Sequence, residues 1–552
     1  MNKIILILGT ILFTSMMTSC VKDLDIKPKD PNTIMAGNLT KEQYKEALGK
    51  IYASFVVGSQ TGNADNADIS GTDINFGTTT RALWNCQELT TDEAICGWGD
   101  AGIADFNTQT WSSQNPFLTA LYSRLVLTVT YANDFIKLTN GNTDADMIKY
   151  NAEARFLRAL AYSYAMDCFA NPAFTTEADG VGKYYPKQIQ RPALFNYVVT
   201  ELRNIEDKLG DPGFAYPRAD KGACWMLLAR LYLNEPVYTA DPTTQTGGKT
   251  NYDSCSYYCT KVIGSGKYAL ASNYRQNFSA DNDYTKNKEM IFSYAQDGIY
   301  TQGYVGSTFI IESCSDGAHI DANTLGLTSN TNWGGNRSKK QFINVLIDTV
   351  ATYGDAVPKT DIYFSACKDK RIYCRQLDHW DIPSASSSYG YGIGIFKFTN
   401  NKADGSKADD WNSAYASTDF PVFRLADAYL MRAEANLRSS KGDLTQAVSD
   451  VNTIRQRAFG DNNHNVSQAQ LTATTNGIPF KFILDERGRE FYYEAQRRTD
   501  LIRFGQFTDG SYTWAWKGNV FAGRATDKHL NIFPIPGNEV SANTNIKQNA
   551  GY

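Results

Sequence analysis

The sequence has very few histidines and no strong excess of charge of either sign. Its 552 residues include four histidines, none at metal-ligand spacing from another, so a histidine-based zinc site is not expected. The 54 basic and 58 acidic residues nearly cancel and no basic run stands out, which argues against nucleic acid as a partner. After the first twenty residues, no apolar run approaches the length of about 18 residues that a membrane-spanning helix needs.

Familiar catalytic motifs are also missing. The chain has no G-x-S-x-G, no G-x-x-x-x-G-K-[ST] and no H-E-x-x-H. A glycosidase needs only two carboxylates, so that class stays open, with Asp92 and Glu93 as the most suggestive pair. We favour a structural role for this pair, as a cap with loop hydrogen bonds. The alternating charges of residues 485–490 and 497–503 favour an internal salt-bridge network over an anion site.

The first twenty residues have the pattern of a bacterial lipoprotein signal. Lys3 precedes an apolar stretch at residues 4–13, and small polar residues lead to Cys20. We expect a signal peptide at 1–19, lipidation of Cys20 and a tether over 20–35. Acyl chains, at about 0.8 kcal/mol per buried methylene, would then hold the protein on a membrane that it does not span.

The other nine cysteines do not form a disulfide framework, because their number is odd and their spacing is scattered. Cys255 and Cys259 would share one helix face, but a disulfide at that spacing would be strained. We interpret most of the nine as small buried hydrophobic residues.

Helical periodicity is the main structural signal that the chain does contain. Hydrophobic residues make up 42% of the sequence, which is typical of a globular protein, whereas the aromatic share of 13% is high. Small residues, tyrosine and leucine recur at three- and four-residue steps, and Asp443 is placed to cap one of the helices. The pattern predicts a mainly α fold, a tetratricopeptide-like stack of helical hairpins, with an unrelated all-α bundle as the alternative. The predicted pairs are 153–169 with 194–209, 221–233 with 252–263, and 423–438 with 444–458, and a further helix covers 484–491.

Two stretches have a different composition. Residues 58–115 and 273–412 are rich in Gly, Ser, Asn, Thr and Tyr, with too many aromatic residues for a solvated linker. Short strand-like runs occur within the second at 290–294, 309–311 and 393–398. We expect these loop-rich insertions to carry the function on a rigid helical body.

Three aromatic residues in these loops stand beside glycines: Trp98, Tyr304 and Trp333. Glycine-flanked rings fit poorly into a regular core, so they are candidates for rings presented to solvent. The apolar C–H faces of sugar rings stack on such surfaces. The alternative is that each ring packs within its own turn.

Several segments together give the chain a resemblance to the SusD/RagB family of outer-membrane glycan-binding lipoproteins along essentially its whole length. They are the Cys20 signal with VKDLD at 21–25, NCQELTTDE at 85–93, AEARFLRA at 152–159, PVFRLADAYLMRAE at 421–434, DERGREF at 485–491, RTDLIRF at 498–504, FPIP at 533–536 and NAGY at 549–552.

The resemblance implies one SusD-like domain over residues 36–552, with a helical half that supports a loop-rich, minor-β ligand face. It also implies a partner, a SusC-like TonB-dependent β-barrel of the outer membrane, and a glycan ligand rather than a catalysed reaction. No cofactor is required, although some relatives bind calcium, and the acidic loop with Asp281 and Asp283 is a candidate site.

In the starch-binding member of the family, matching loops carry an aromatic arc, and the resemblance transfers this arc to Trp98, Tyr304 and Trp333. The polar residues of the expected site are Arg81, Asp100 and Asn332. Cys96 stands where the starch binder has a further tryptophan, and the residues after Trp98 lack its asparagine. An α-glucan such as starch is the expected ligand. A surface-anchored glycoside hydrolase and a scaffold that binds only protein are the alternatives.

Overall fold

The computed structural model describes residues 39–59, 67–75, 77–179, 185–242, 244–347 and 368–552. Its contacts divide the chain into residues 1–47, of which only 39–47 are described, and a second unit from Leu48 to Tyr552. The predicted signal peptide, Cys20 and the tether lie outside the described residues. None of the described helices is long and apolar enough to cross a bilayer.

Helices make up most of the regular structure of the described residues, so the expected mainly α class is confirmed. Several shorter 3-10 turns and one π-helical turn, Asn85–Leu89, accompany them. The α-helices are α1 Lys41–Val56, α2 Thr79–Trp84, α3 Ile103–Thr108, α4 Pro116–Thr139, α5 Ala145–Phe169, α6 Arg191–Ile205, α7 Lys221–Leu233, α8 Glu235–Tyr238, α9 Tyr252–Gly264, α10 Gly306–Ser313, α11 Lys340–Leu346, α12 Leu425–Arg438, α13 Leu444–Phe459, α14 Gln468–Leu471, α15 Lys481–Phe491, α16 Arg497–Arg503 and α17 Gly537–Ala542.

The long helices pack mainly on helices that are close to them along the chain. Helix α4 packs on α5, α7 on α9, and α12 on α13, while contacts of α5 with α6 and of α9 with α12 continue the stack. The predicted hairpins are therefore present. Helix α4 was not predicted, although Asn115 and Pro116 signal its start: the Asn115 side chain accepts from Phe117 N and Leu118 N, and proline suits the first turn. The predicted cap Asp443 is confirmed, since it accepts from Gln446 N at 2.9 Å.

The strands are short, and every sheet among the described residues has two of them. The predicted strand 290–294 is β4, Met290–Tyr294, which pairs with β8, Phe420–Arg424. Of the predicted strand 393–398, only Ile393–Ile395 forms a strand, β7. The prediction of a strand at 309–311 is wrong, because these residues form the middle of α10, where buried packing outweighs the strand preference of two isoleucines. The antiparallel pairs are β1 Ile95–Cys96 with β5 Asn336–Arg337, β2 Ala173–Phe174 with β3 Lys187–Gln188, β4 Met290–Tyr294 with β8 Phe420–Arg424, β6 Cys374–Gln376 with β7 Ile393–Ile395, and β9 Thr474–Thr475 with β10 Ile478–Pro479.

A buried network of charges joins the C-terminal helices, as the alternating signs of residues 485–490 and 497–503 predict. Arg424 bonds to Glu289, Glu490 and Glu494, and all four side chains are at most 1% exposed. Burial opposes ionisation of Glu490, but the charges of Arg457 and Arg424 outweigh it and lower its pKa to about 2. Arg424 and Arg457 therefore stabilise the fold and are not accessible to a ligand.

The eight cysteines of the described part of the chain are all buried, and none is in a disulfide. Burial raises the pKa of Cys86 and of Cys96 to about 12, so both thiols stay protonated at neutral pH. For these eight residues, the interpretation as small buried hydrophobic side chains is confirmed.

Candidate ligand-binding site

Three separate loops bring the predicted aromatic rings into contact. The ring centroids of Trp98 and Trp333 lie 6.3 Å apart at an interplanar angle of 55°, and those of Tyr304 and Trp333 lie 5.5 Å apart at 74°. All three side chains are half-buried, so each keeps part of its surface in solvent. We call these three residues the ring cluster.

Strands β1 and β5 fix the positions of the two tryptophans. Cys96 pairs with Asn336, and the ladder continues where Gly97 N donates to Gly335 O at 3.1 Å. Trp98 lies two residues after the end of β1 and Trp333 three residues before the start of β5, so both rings leave the sheet at the same end. Trp98 Nε1 then donates to Trp333 O at 3.3 Å, which links the two loops.

Gly335, two residues after Trp333, is in close contact with Trp98. A Cβ atom on Gly335 would lie 2.3 Å from Cε2 of Trp98, so only glycine lets the indole rest on this backbone. A Cβ atom on Gly97 would lie 2.4 Å from Ser387 O. One part of Trp98 is therefore packed against backbone, and the glycines reflect this packing as well as exposure of the ring.

Arg81 lies beneath the ring cluster on α2. Its guanidinium carbon is 4.4 Å from the ring centroid of Phe309 and 5.7 Å from that of Trp98, and Nη1 donates to Asn75 O at 3.0 Å. Burial lowers the pKa of Arg81 to about 10, against the opposing charge of Asp100. Arg81, one of the predicted polar residues of the site, is only 7% exposed, and its guanidinium supports Trp98 from below.

The loop that carries Trp333 is held by a glutamate that the sequence did not single out. Asn332 has a left-handed backbone with φ of 68°, and its N–H donates to Oε2 of Glu312 at 2.7 Å. Trp333 N donates to the Glu312 carbonyl at 3.0 Å. The Asn332 amide oxygen accepts from Ala322 N at 2.9 Å, so this predicted ligand residue is also a brace within its loop.

Burial raises the pKa of Glu312 to about 7. Its Oε2 is used by Asn332, while Oε1 has no hydrogen-bond partner among the described residues. Helix α10 thus places Phe309 under Trp98 and, one turn later, Glu312 under Asn332. A helical assignment of 309–311 places Phe309 and Glu312 on one helix face, but it does not name their partners.

The comparisons with known proteins agree with this arrangement. The sequence model of the SusD family matches residues 234–552. The starch-binding protein SusD of Bacteroides thetaiotaomicron is 34% identical over 576 aligned residues, which cover 98% of this chain and 97% of that protein. The chain belongs to the SusD family.

Solved structures of SusD-type proteins share the fold of this SusD-family chain. A SusD superfamily protein from Parabacteroides distasonis matches with a TM-score of 0.67 and 19% identity over 93% of this chain and all of that one. Surface glycan-binding protein A from Bacteroides thetaiotaomicron, solved in complex with laminarihexaose, matches with a TM-score of 0.60 and 17% identity over the same shares. At sequence identities of 19% and 17%, these similarities show a shared fold.

Two predicted features at the edge of the site differ in accessibility. Asp100 is exposed, and its charge acts on Arg81. Cys96 is buried in β1, where its backbone N–H donates to Asn107 Oδ1 at 3.1 Å and its carbonyl accepts from Asn107 Nδ2 at 2.7 Å. In this SusD-family chain, Cys96 therefore fills a structural position and presents no side chain to a ligand.

The predicted calcium loop supplies few ligands. Asp281 Oδ1 accepts from Ala403 N at 2.9 Å, and Asp283 Oδ1 accepts from Thr285 N at 2.7 Å. Among the described residues, no group of three or more His, Cys, Asp or Glu side chains is placed to hold a metal ion. Two carboxylates fall short of the six to eight oxygens that calcium prefers. Calcium at Asp281 and Asp283 stays a prediction without a fitting ligand set.

The carboxylate pair considered for a hydrolase is part of the structural network. Asp92 is fully buried and forms a bidentate ion pair with Arg497, at 2.9 Å to Nε and 2.8 Å to Nη2. Tyr512 donates its hydroxyl to the same carboxylate. Glu93 accepts from Tyr493 N at 3.0 Å. Neither carboxylate reaches solvent, which favours the structural interpretation over glycosidase chemistry at this pair.

Proposed function

We propose that this SusD-family protein is a non-catalytic glycan-binding lipoprotein of the outer-membrane surface. It captures a polysaccharide or oligosaccharide and presents it to a SusC-like TonB-dependent β-barrel for import. An α-glucan such as starch is the leading candidate for the ligand. The observation that carries the proposal is the ring cluster, in which three half-exposed aromatic side chains from separate loops meet.

The chemistry of the ring cluster suits a sugar chain. Trp98, Trp333 and Tyr304 offer apolar ring surface to the C–H faces of pyranose rings, while Asp100 offers hydrogen-bond acceptors at the rim. The loops are fixed before a ligand arrives, by the β1–β5 ladder and by Glu312, so binding would order few side chains. Arg81 contributes through Trp98, since it packs beneath that ring.

The choice of starch rests on the relative named for starch binding, which is 34% identical over nearly the whole chain. A structural relative solved with laminarihexaose, a β-glucan, shares only 17% identity. Cys96 in place of a ring and the sequence Gly99-Asp100-Ala101 after Trp98 are departures that alter the contacts available to the sugar. The glycosidic linkage of the preferred ligand is therefore the first property to determine.

A panel of polysaccharides tests the proposal. Native affinity gels containing amylopectin, laminarin, xylan, mannan or fructan would be run beside an assay of released reducing ends. We expect retardation in amylopectin without release of reducing ends. Release of reducing ends would favour a hydrolase, and neither retardation nor release would favour a scaffold that binds only protein.

A further inference from the structure

A fourth aromatic residue continues the ring cluster beyond Tyr304. The ring centroid of Tyr415 lies 5.4 Å from that of Tyr304, with an interplanar angle of 39°. Tyr415 is half-buried, as are the three rings of the cluster. Each ring in the series Trp98, Trp333, Tyr304, Tyr415 thus contacts the next, and Tyr415 stands at the end remote from Trp98.

The segment that carries Tyr415, residues 411–417, is attached to the loop of Trp333. The carbonyl of Ser413 accepts from Thr328 N at 2.8 Å and from Ser329 N at 2.9 Å. The hydroxyl of Ser329 also donates to that of Ser413 at 2.9 Å. Two residues before Tyr415, the segment is therefore fixed to the chain that leads into the ring cluster.

The same segment is attached to two further elements of the site. Ala416 N donates to the Thr308 hydroxyl at 2.8 Å, on the helix that supports Trp98. Gly298 N donates to the Ser417 hydroxyl at 3.3 Å, at the start of the loop that carries Tyr304. Because these bonds hold the segment on both sides of Tyr415, the position of its ring is set by the site itself, which lowers the entropy cost of using it for binding.

We propose that Tyr415 is a ligand-binding residue that extends the ring cluster and lets the site hold a longer oligosaccharide than three rings cover. This inference rests on the proposed glycan-binding function. A sugar residue further along the bound chain would stack on Tyr415, so the ligand class is an oligosaccharide of several hexose units. A short oligosaccharide gains less from the fourth ring.

The test compares two ligand lengths by titration calorimetry. The probes are maltotriose and maltoheptaose, or laminaritriose and laminarihexaose if the gels identify a β-glucan. For Tyr415→Ala we expect the affinity for the longer sugar to fall roughly tenfold or more, with a smaller loss for the trisaccharide. Tyr415→Phe keeps the ring and should keep the affinity. As a control, Tyr300→Ala removes an 83% exposed tyrosine from the turn before Tyr304 and should change the affinity for neither sugar.

Other outcomes separate this inference from the proposed function. Equal losses for both lengths would show that Tyr415 only supports Tyr304, and unchanged affinity would show that it does not bind; both overturn the inference. If Trp333→Ala also leaves binding unchanged, or the wild-type chain binds no probe, the proposed function fails with it. If Tyr415→Ala does not fold, Tyr415→Leu, which fills the space without a flat ring, replaces it under the same criteria.

Discussion

At the scale of single residues, Glu312 has the environment with the clearest thermodynamic consequence. Its side chain is 1% exposed and accepts one backbone N–H, from Asn332. Burial disfavours the carboxylate form, which raises the pKa to about 7. The residue therefore holds the Trp333 loop in place but destabilises the fold when it is ionised.

This predicts a pH-dependent effect of Glu312→Gln. In the unfolded chain Glu312 titrates near 4.5, so between about pH 4.5 and 7 the folded state binds more protons and wild-type stability falls as pH rises. Glutamine does not titrate but keeps an oxygen for Asn332. The stability of the variant relative to wild type should rise across this window, by at most about 3 kcal/mol, and level off above it.

Urea unfolding of both proteins at several pH values from 4 to 8 measures this difference, in which the titration of other groups cancels. The loss of the carboxylate adds an offset that is the same at every pH. A stability difference that does not vary with pH would contradict the raised pKa.

At the scale of elements, the sequence predicted the helices better than the loops. Periodic apolar residues and the Asp443 cap are local signals, and the helices at 221–233 and 252–264 agree with the prediction to within one residue. The sequence predicts a strand within helix α10 because three consecutive apolar residues, Phe309, Ile310 and Ile311, cannot distinguish a buried helix from a buried strand.

The candidate site was also predictable only in part, because only some of its features have local signals in the sequence. Glycine neighbours and family resemblance indicated Trp98, Tyr304 and Trp333, and these three rings do meet. The burial of Arg81 and the bond from Asn332 to Glu312 depend on contacts between distant segments, which no local pattern encodes.

The ion pair between Arg497 and Asp92 joins α16 to the chain after the π-helical turn. Replacing Arg497 by methionine would leave a buried carboxylate without its partner, and we expect a loss of about 3–5 kcal/mol in unfolding free energy. The double variant Arg497→Met with Asp92→Asn removes both charges and should recover part of that loss.

Urea unfolding of the single and double variants checks this expectation. Lys402→Met, which breaks a pair with the 85% exposed Asp409, is the control and should change stability by about 0.5 kcal/mol or less. A single variant as stable as this control, or a double variant less stable than the single one, would contradict the structural role of the pair.

At the scale of the whole molecule, the proposed function places a helical body at a membrane surface through one lipidated residue. We expect Cys20→Ala to release an otherwise folded protein into the soluble fraction, because the acyl chains are the proposed attachment. Fractionation would be done in cells that lack the barrel partner, so that binding to the partner does not retain the variant. Continued membrane association in those cells would contradict the proposal.

The central claim is that the ring cluster binds glycan, and Trp333→Ala tests it most directly. Calorimetry would measure the affinity of this variant for an oligosaccharide of the polysaccharide that retards the protein in the gels, and a melting curve would measure the stability of the variant. Trp333 suits this test better than Trp98, which also packs on Gly335 and Phe309. Tyr257→Ala, at a 57% exposed tyrosine on α9, is the control. The account predicts an affinity loss of about 1–3 kcal/mol, which is roughly five- to 150-fold, with little change in melting temperature. Unchanged affinity with a sharply lowered melting temperature would contradict it.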